Sequence, residues 1–285
     1  MTEKKKFADL HVLITGGGRG IGAATARQLV KRGAKVSIGD IDVPAVTAEA
    51  AEINAGLSVA ACFAGELDVC KTDSFEKFIA KANEFHESPI DVIVNNAGIM
   101  LVGPFRDEDP TLANKQVDIN VNGVINGTRA ALAVFEKSGR GHVLNIASVA
   151  GRNAFANIAT YTGTKHFVYG FTEAMRAEYA DTEIEFTTVL PNIAKTRLGS
   201  GVSGVKIVPK SDPEDIAAAI VSAIESPVSA SYIPRTLAPL SGLSQVAPSV
   251  VRDRVFALLG ADRALVDTDA EERAAYDEVL AADKK

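Results

Sequence analysis

The sequence predicts an α/β fold, a doubly wound parallel sheet in three layers with helices on both faces. Three observations predict it. Short β-branched apolar runs alternate with longer segments of helical period through the first two-thirds of the chain. Those runs are nearly continuous in apolar residues, as strands buried on both faces are. A glycine cluster, Thr15-Gly-Gly-Gly-Arg-Gly-Ile-Gly22, falls directly between the first run and the first helical segment.

Taken in order, His11 to Thr15 is the first strand and Gly20 to Arg32 the first helix, stopped by Gly33. Lys35 to Gly39 is the second strand, and Val43 to Ile53 its helix. Leu57 to Phe63 is the third strand, followed by helical period over Ser74 to His86. Asp91 to Asn95 is the fourth strand, followed by one long helix from Thr111 to Ser138. Gly141 to Ala147 is the fifth strand, Ala159 to Tyr179 the second long helix and Ile184 to Leu190 the sixth strand. Right-handed crossovers through such a series give a Rossmann-type sheet.

After the sixth strand, Asn192 to Lys210 reads as a Gly/Ser-rich loop. Asp212 is placed to cap a helix that has Pro213 in its first turn and runs through Ile224. Ala230 to Pro234 is a last strand. Two helical patterns remain, near Pro248 to Leu259 and near Ala270 to Ala282. Single α/β domains commonly reach about 200–250 residues, and this chain has 285. The motifs run without a linker, so residues 1–236 are expected to form one domain and residues 237–285 a helical extension of it.

Composition excludes several classes. With 47% hydrophobic and 23% charged residues the chain has ample apolar surface to bury, which excludes bulk disorder. Lys plus Arg is 30 against 36 Asp plus Glu, a net charge of -6, so no nucleic-acid partner is expected. The one basic run, Lys4 to Lys6, is expected to be a solvated end. No apolar stretch approaches the ~20 residues of a membrane span, and no signal-peptide core follows the first residues, so a cytoplasmic protein is expected. Cys62 and Cys70 match no redox or zinc spacing and are expected as unpaired core thiols. The four histidines are scattered, and no metal site is expected.

The glycine cluster has a physical use. Gly16, Gly20 and Gly22 let the chain turn tightly and bring backbone N–H groups, with the helix N-terminus, to a pyrophosphate. Asp40 ends the second strand, 20 residues beyond Gly20. A carboxylate there accepts hydrogen bonds from the adenosine ribose and repels a 2′-phosphate, which favours NAD over NADP. Arg19 is the contrary signal, since a basic residue in the loop suits that phosphate. Tyr161-Thr-Gly-Thr-Lys165 puts a phenol and an ammonium on one helical face. Ser148 ends the fifth strand and Asn120 lies in the preceding long helix.

Over roughly residues 8–235 these features resemble the short-chain dehydrogenase/reductase family. The motifs that carry the resemblance are Thr15-Gly-x-x-x-Gly-x-Gly22, Asp68-Val69, Asn95-Asn-Ala-Gly98, Asn120, Ser148 and Tyr161-x-x-x-Lys165. The resemblance implies a hydride transfer between a nicotinamide cofactor and a secondary alcohol or ketone. Tyr161 is then the general acid/base, Ser148 polarises the substrate oxygen, Lys165 holds the nicotinamide ribose, and Asn120 positions a water for proton relay. Bringing a phenol from a pKa near ~10 to ~7 takes about 4 kcal/mol of differential stabilisation, for which Lys165 and an oxidised nicotinamide are suitable charges.

The implied cofactor contacts are Gly16, Arg19, Gly20, Ile21, Gly22, Asp40, Ile41, Asp68 at the adenine amino group, Val69, Asn95, Ala97, Gly98, Tyr161, Lys165, Pro191, Ile193 and Thr196. The chain departs from the family at Asn192, where a glycine is usual. Asn tolerates left-handed backbone, so the turn is expected to survive. Apolar residues of the 192–210 loop (Ile193, Leu198, Val202, Val205, Ile207, Val208) and Ile99, Met100, Ala154 and Phe155 suggest a lipophilic substrate. A homodimer or homotetramer is implied by the resemblance alone. The rival readings are a non-catalytic NAD-binding sensor and a sugar-nucleotide epimerase or dehydratase.

Overall fold

The computed structural model describes residues 7–202, 209–258, 265 and 269–282. Seven parallel strands form one sheet, ordered β3-β2-β1-β4-β5-β6-β7. They are β1 (His11–Thr15), β2 (Lys35–Asp40), β3 (Cys62–Glu66), β4 (Val92–Asn95), β5 (Arg140–Ile146), β6 (Glu183–Pro191) and β7 (Ala230–Ile233). The helices between them are α1 (Gly20–Lys31), α2 (Val43–Asn54), α3 (Thr72–His86), α4 (Pro110–Val117), α5 (Gly123–Ser138), α6 (Ala159–Glu178) and α7 (Pro213–Glu225). Beyond β7 come α8 (Leu237–Val246), α9 (Ser249–Leu258) and α10 (Ala270–Ala282).

Every residue of β1 and β4 is buried, because helices cover both faces of the sheet. On one face Val12, Ile14, Val36 and Ile38 pack with Leu29 of α1 and Ile216 and Ile220 of α7. On the other, Leu13, Ile93 and Val143 meet Phe75 and Phe78 of α3 and Phe135 of α5. The alternation along β1 thus divides one strand between two cores.

Several expectations are corrected. The third strand lies later than Leu57 to Phe63. Asn54 draws the chain into a turn, its side chain accepting from Ala61 N and Cys62 N and donating to Cys62 O, so Leu57 and Val59 stay exposed. The long helix from residue 111 to 138 is not uniform: a π turn over Asp118–Asn122 separates α4 from α5. Asp212 stands at the N-cap of α7 but makes no side-chain cap, because its carboxylate pairs with Lys195 at 3.0 Å. Cys62 is buried, and burial pushes its thiol up to about 12, whereas Cys70 is exposed rather than in the core. The tail holds α8 in addition to the two helical patterns, Pro239 falling within its first turn. The basic run Lys4 to Lys6 and the loop residues Val205, Ile207 and Val208 lie outside the described residues.

The N-terminal edge of the sheet carries two buried histidines in edge contact, His11 and His86, with ring centroids 4.5 Å apart. His11 Nε2 bonds Ser37 Oγ at 2.8 Å and Nδ1 the Ser88 carbonyl oxygen at 3.0 Å, while His86 Nε2 meets the Val36 carbonyl oxygen. Burial, with help from His86 and Lys35, pulls His11 down to about 4. The unfolded chain therefore takes up this proton from about pH 6.5 downward, while the native state refuses it until about pH 4. Stability should be unaffected by His11 above that window and fall through it. The loss should total about 3 kcal/mol for a shift of this size. Urea unfolding of His11→Gln, compared between neutral and acid pH, should show a shallower acid loss than the parent.

Candidate active site

The strand order reverses between β1 and β4, and their C-terminal ends open a crevice where open α/β sheets bind ligands. The glycine loop lines one side. Gly16 and Gly20 have φ of +65° and +58°, conformations that side chains resist. A Cβ on Gly22 would stand 2.3 Å from the Gly16 carbonyl oxygen, so the loop folds back on the start of α1 only because Gly22 has none. No side chain caps α1, so its first N–H groups are left available to an anion. The cradle fits a dinucleotide pyrophosphate.

The loop is tied to β4 through Thr15 and Asn96, residues of the two motifs for which no individual contact was expected. Thr15 Oγ1 accepts from Asn96 N and Ala97 N, both at 3.0 Å. Asn96 Nδ2 donates to the Thr15 carbonyl at 2.9 Å and the Gly16 carbonyl at 3.1 Å. Asn95, expected at the cofactor, points the other way: its Nδ2 donates to Asn145 Oδ1 at 2.8 Å in the core. Successive side chains at a strand end face opposite sides, so only one of the two asparagines reaches the crevice. That alternation is present in the sequence, but the face each residue takes is set by the sheet.

Asp40 engages backbone on both oxygens, Oδ2 accepting from Gly18 N and Oδ1 from Asp42 N, each at 3.0 Å. Arg19 forms an ion pair with Asp42, and that guanidinium holds the Asp42 carboxyl below the usual range. Ile41 is exposed beside them, and Ile21 packs against the first core. Asp68 pairs with Lys71 at 2.9 Å and accepts from Cys70 N. Val69 is buried against Gly123, with its carbonyl accepting from Asn126 Nδ2.

At the inner end of the crevice four polar residues converge. Asn120 sits fully buried in the π turn. Its Oδ1 accepts from Ile99 N, and its Nδ2 donates to the Ile99 carbonyl and to Thr164 Oγ1. Ser148, just after β5, accepts from Ala150 N at 3.1 Å, donates to the Pro191 carbonyl at 3.4 Å, and shares a hydrogen bond with Tyr161. Tyr161 and Lys165 lie on one face of α6, with the ammonium 5.6 Å from the phenol ring centroid. Lys165 Nζ donates to the Ile146 carbonyl at 2.8 Å. Burial pulls Lys165 down to about 8 and pushes the Tyr161 phenol well above its usual range, against the Ser148 bond that draws it down. The phenol is therefore a protonated acid at rest. Gly98 leaves room here, since a Cβ on it would stand 3.2 Å from Asn120 Oδ1.

Ser148, Tyr161 and Lys165 border a cavity of about 340 Å³ whose other walls are mainly apolar. Pro191, Ile193 and Thr196 line it, and the Thr196 methyl carbon lies 3.2 Å from where a Gly20 Cβ would stand. Asn192 does not use left-handed backbone. It clips the loop instead, with Nδ2 on the Pro209 carbonyl at 2.6 Å and Oδ1 accepting from Ser211 Oγ at 2.5 Å. Met100 and Phe155 line the cavity as expected, joined by Phe256 and Leu265 of the tail, which sequence patterning did not assign to the site. Among the described residues no cluster of His, Cys, Asp and Glu has the arrangement to hold a metal ion.

Comparison with known proteins adds independent weight. The family model for short chain dehydrogenases matches residues 10–204. The probable oxidoreductase EphD of Mycobacterium tuberculosis is 30% identical over 266 residues, covering 86% of this chain and 44% of EphD. The chain thus spans less than half the length of that relative. The 2,5-dichloro-2,5-cyclohexadiene-1,4-diol dehydrogenase LinX of Sphingobium indicum is 34% identical over 197 residues, covering 69% of this chain and 78% of LinX. A solved 3-ketoacyl-(acyl-carrier-protein) reductase from Brucella melitensis, complexed with NADH, superposes with a TM-score of 0.71 at 27% identity, covering 80% of this chain and 97% of that one.

Asn96 supplies the test of the loop. Asn96→Ala removes two side-chain hydrogen bonds to the loop carbonyls, worth about 1 kcal/mol each. Dinucleotide affinity measured by titration calorimetry should fall about tenfold, with a modest drop in thermal midpoint.

Proposed function

The chain belongs to the short chain dehydrogenase family, and on that footing we propose that it is an NAD-dependent oxidoreductase of lipophilic secondary alcohols or ketones. The observation that carries the proposal is the buried Ser148–Tyr161–Lys165 cluster at one end of an apolar cavity that adjoins the glycine cradle.

Each residue has a task that its surroundings support. Ser148 holds the substrate oxygen with a hydroxyl already oriented by Ala150 N. Tyr161, protonated at rest, delivers its proton to a carbonyl oxygen under reduction and, as phenolate, takes the alcohol proton under oxidation. Lys165 stabilises that phenolate with an ammonium 5.6 Å from the ring centroid and has N–H donors left for ribose hydroxyls. Asn120 holds Ile99 by both backbone groups and so fixes the wall over Gly98; the water relay implied by the family resemblance is assigned to the same residue. A nicotinamide dinucleotide held in this cradle would supply the hydride donor or acceptor and, when oxidised, a positive charge that favours the phenolate. Its adenine end is assigned to Asp68, Val69 and Ile41, and its nicotinamide end to Ala97, Pro191, Ile193 and Thr196.

NAD is favoured over NADP on two grounds. The Asp40 carboxylate faces the glycine loop where a 2′-phosphate would stand. The contrary signal, Arg19, is paired with Asp42 on the surface. The names of LinX and of the Brucella reductase denote a cyclic diol and a ketoacyl group, both within the alcohol/ketone class. The reading takes the protein as a homodimer or homotetramer acting in the cytoplasm. No helix among the described residues is long and apolar enough to cross a membrane.

A panel of alcohols and ketones assayed with NAD and with NADP, following absorbance of the reduced nicotinamide, tests the proposal. Absence of turnover across an apolar-weighted panel rejects it in favour of a binding protein. Tyr161→Phe should lower kcat by about 10²–10⁴ while NAD affinity is retained, whereas a sensor would be indifferent. Asp40→Ser should raise the NADP-to-NAD ratio of kcat/KM by about tenfold or more, as removal of one like charge near the phosphate requires.

A further inference from the structure

The tail beyond β7 carries a buried cation. The Arg273 side chain on α10 is 5% exposed. Its Nη1 donates to the Leu198 carbonyl at 2.9 Å, its Nη2 to the Met100 carbonyl, and its Nε to Asp277 Oδ1 at 3.2 Å. The guanidinium lies 4.5 Å over the Tyr276 ring, and the Tyr276 hydroxyl accepts from Met100 N at 3.3 Å. Both backbone groups of Met100 are thus held by two side chains three residues apart on α10.

Further contacts run the same way. Glu272 Oε2 accepts from Gly201 N at 3.1 Å, and Asp269 N donates to the Gly201 carbonyl at 2.7 Å. Asn157 Nδ2 donates to the Leu265 carbonyl at 3.1 Å.

Met100 and Leu198 belong to different loops, one after β4 and one after β6, and both line the cavity. A planar guanidinium is the side chain able to hold two carbonyls at fixed spacing, which an ammonium on a flexible stem does not do. Among the described residues its one carboxylate partner, Asp277, is half exposed, so there the buried charge is balanced chiefly by carbonyl dipoles and the ring face. A buried charge held this way is tolerated only while every partner is in place.

We infer that Arg273 is a specificity-determining positioning residue, which with Tyr276 clasps the Met100 and Leu198 loops around the cavity and so limits the length of apolar substrate it accepts. The inference rests on the alcohol/ketone reading of that cavity.

The test uses the full chain with NAD or NADH and a series of aliphatic ketones of increasing length. Binding is measured by calorimetry and turnover by kcat/KM. In the parent, affinity should drop once the chain outgrows the cavity. In Arg273→Ala the ratio of long-chain to short-chain kcat/KM, and of the corresponding affinities, should rise about tenfold, the scale of one lost charge-assisted contact. Arg273→Lys should behave like Arg273→Ala, since it keeps the charge and loses the fork. Tyr276→Phe, the milder change, should move in the same direction by less.

Amide hydrogen exchange in peptides containing Met100 and Leu198 should accelerate in both arginine variants. Retention of the parental length preference in all three variants overturns the inference, as does unchanged exchange at both loops. Full rescue by lysine also overturns it, since charge alone would then suffice. A parent that binds the series yet turns nothing over overturns the redox reading, while the affinity ratios and exchange still decide the clasp.

Discussion

The site depends on a knot of hydrogen bonds where β1 and β4 end. Thr15 Oγ1 takes two amide protons from the start of the β4 loop, and Asn96 returns two to the carbonyls of Thr15 and Gly16. The strand order reverses there, so the chain diverges in both directions and opens a crevice. With the knot in place, the glycine loop lies between Ile38 on one side and Ala97 on the other, so close that a Cβ on Gly17 would stand 2.5 Å from Ile38 and one on Gly16 3.0 Å from Ala97. The position of Gly98 follows, and with it the wall completed by Asn120.

Burial then sets the chemistry. The same desolvation that raises Tyr161 lowers Lys165, because the phenol gains charge on losing its proton and the ammonium sheds it. Left to burial alone, the two groups drift toward a neutral pair. The Ser148 hydrogen bond draws the phenol back from that drift, and the ammonium keeps one fixed acceptor in the Ile146 carbonyl. The surrounding wall is apolar, so few competing dipoles weaken those contacts.

Much of this was legible in the sequence. The strand-helix series, the glycine loop and the Tyr161 to Lys165 spacing are local patterns, and local geometry realises them. What was not legible depended on contacts between distant segments. Asn95 and Asn96 are indistinguishable until the sheet assigns their faces. Asp212 looks like a helix cap until Lys195, on a loop 17 residues away, takes its carboxylate. The third strand slid to Cys62–Glu66 because one Asn54 side chain ties the chain across eight residues. The tail's share of the cavity was invisible, since Phe256 sits in a helical pattern that names no partner and Leu265 lies between the two tail patterns. Asn120 was legible as a motif residue, but the π turn that buries it was not, because its flanks read as ordinary helix on either side.

That π turn has a consequence for how the two halves of the segment are phased. One extra residue in a helical turn rotates everything beyond it by about 100°. Upstream, Gln116 is directed to the Leu101 amide; downstream, Thr128 is directed to Asn95 in the sheet core. A helix of constant pitch would align with one of these neighbours and miss the other. The inserted residue works as a vernier, letting a single rod mesh with a loop and a sheet whose spacings are incommensurate. The buried asparagine at the step is then also a registration mark, and a deletion there would leave the helix intact while throwing one half out of mesh.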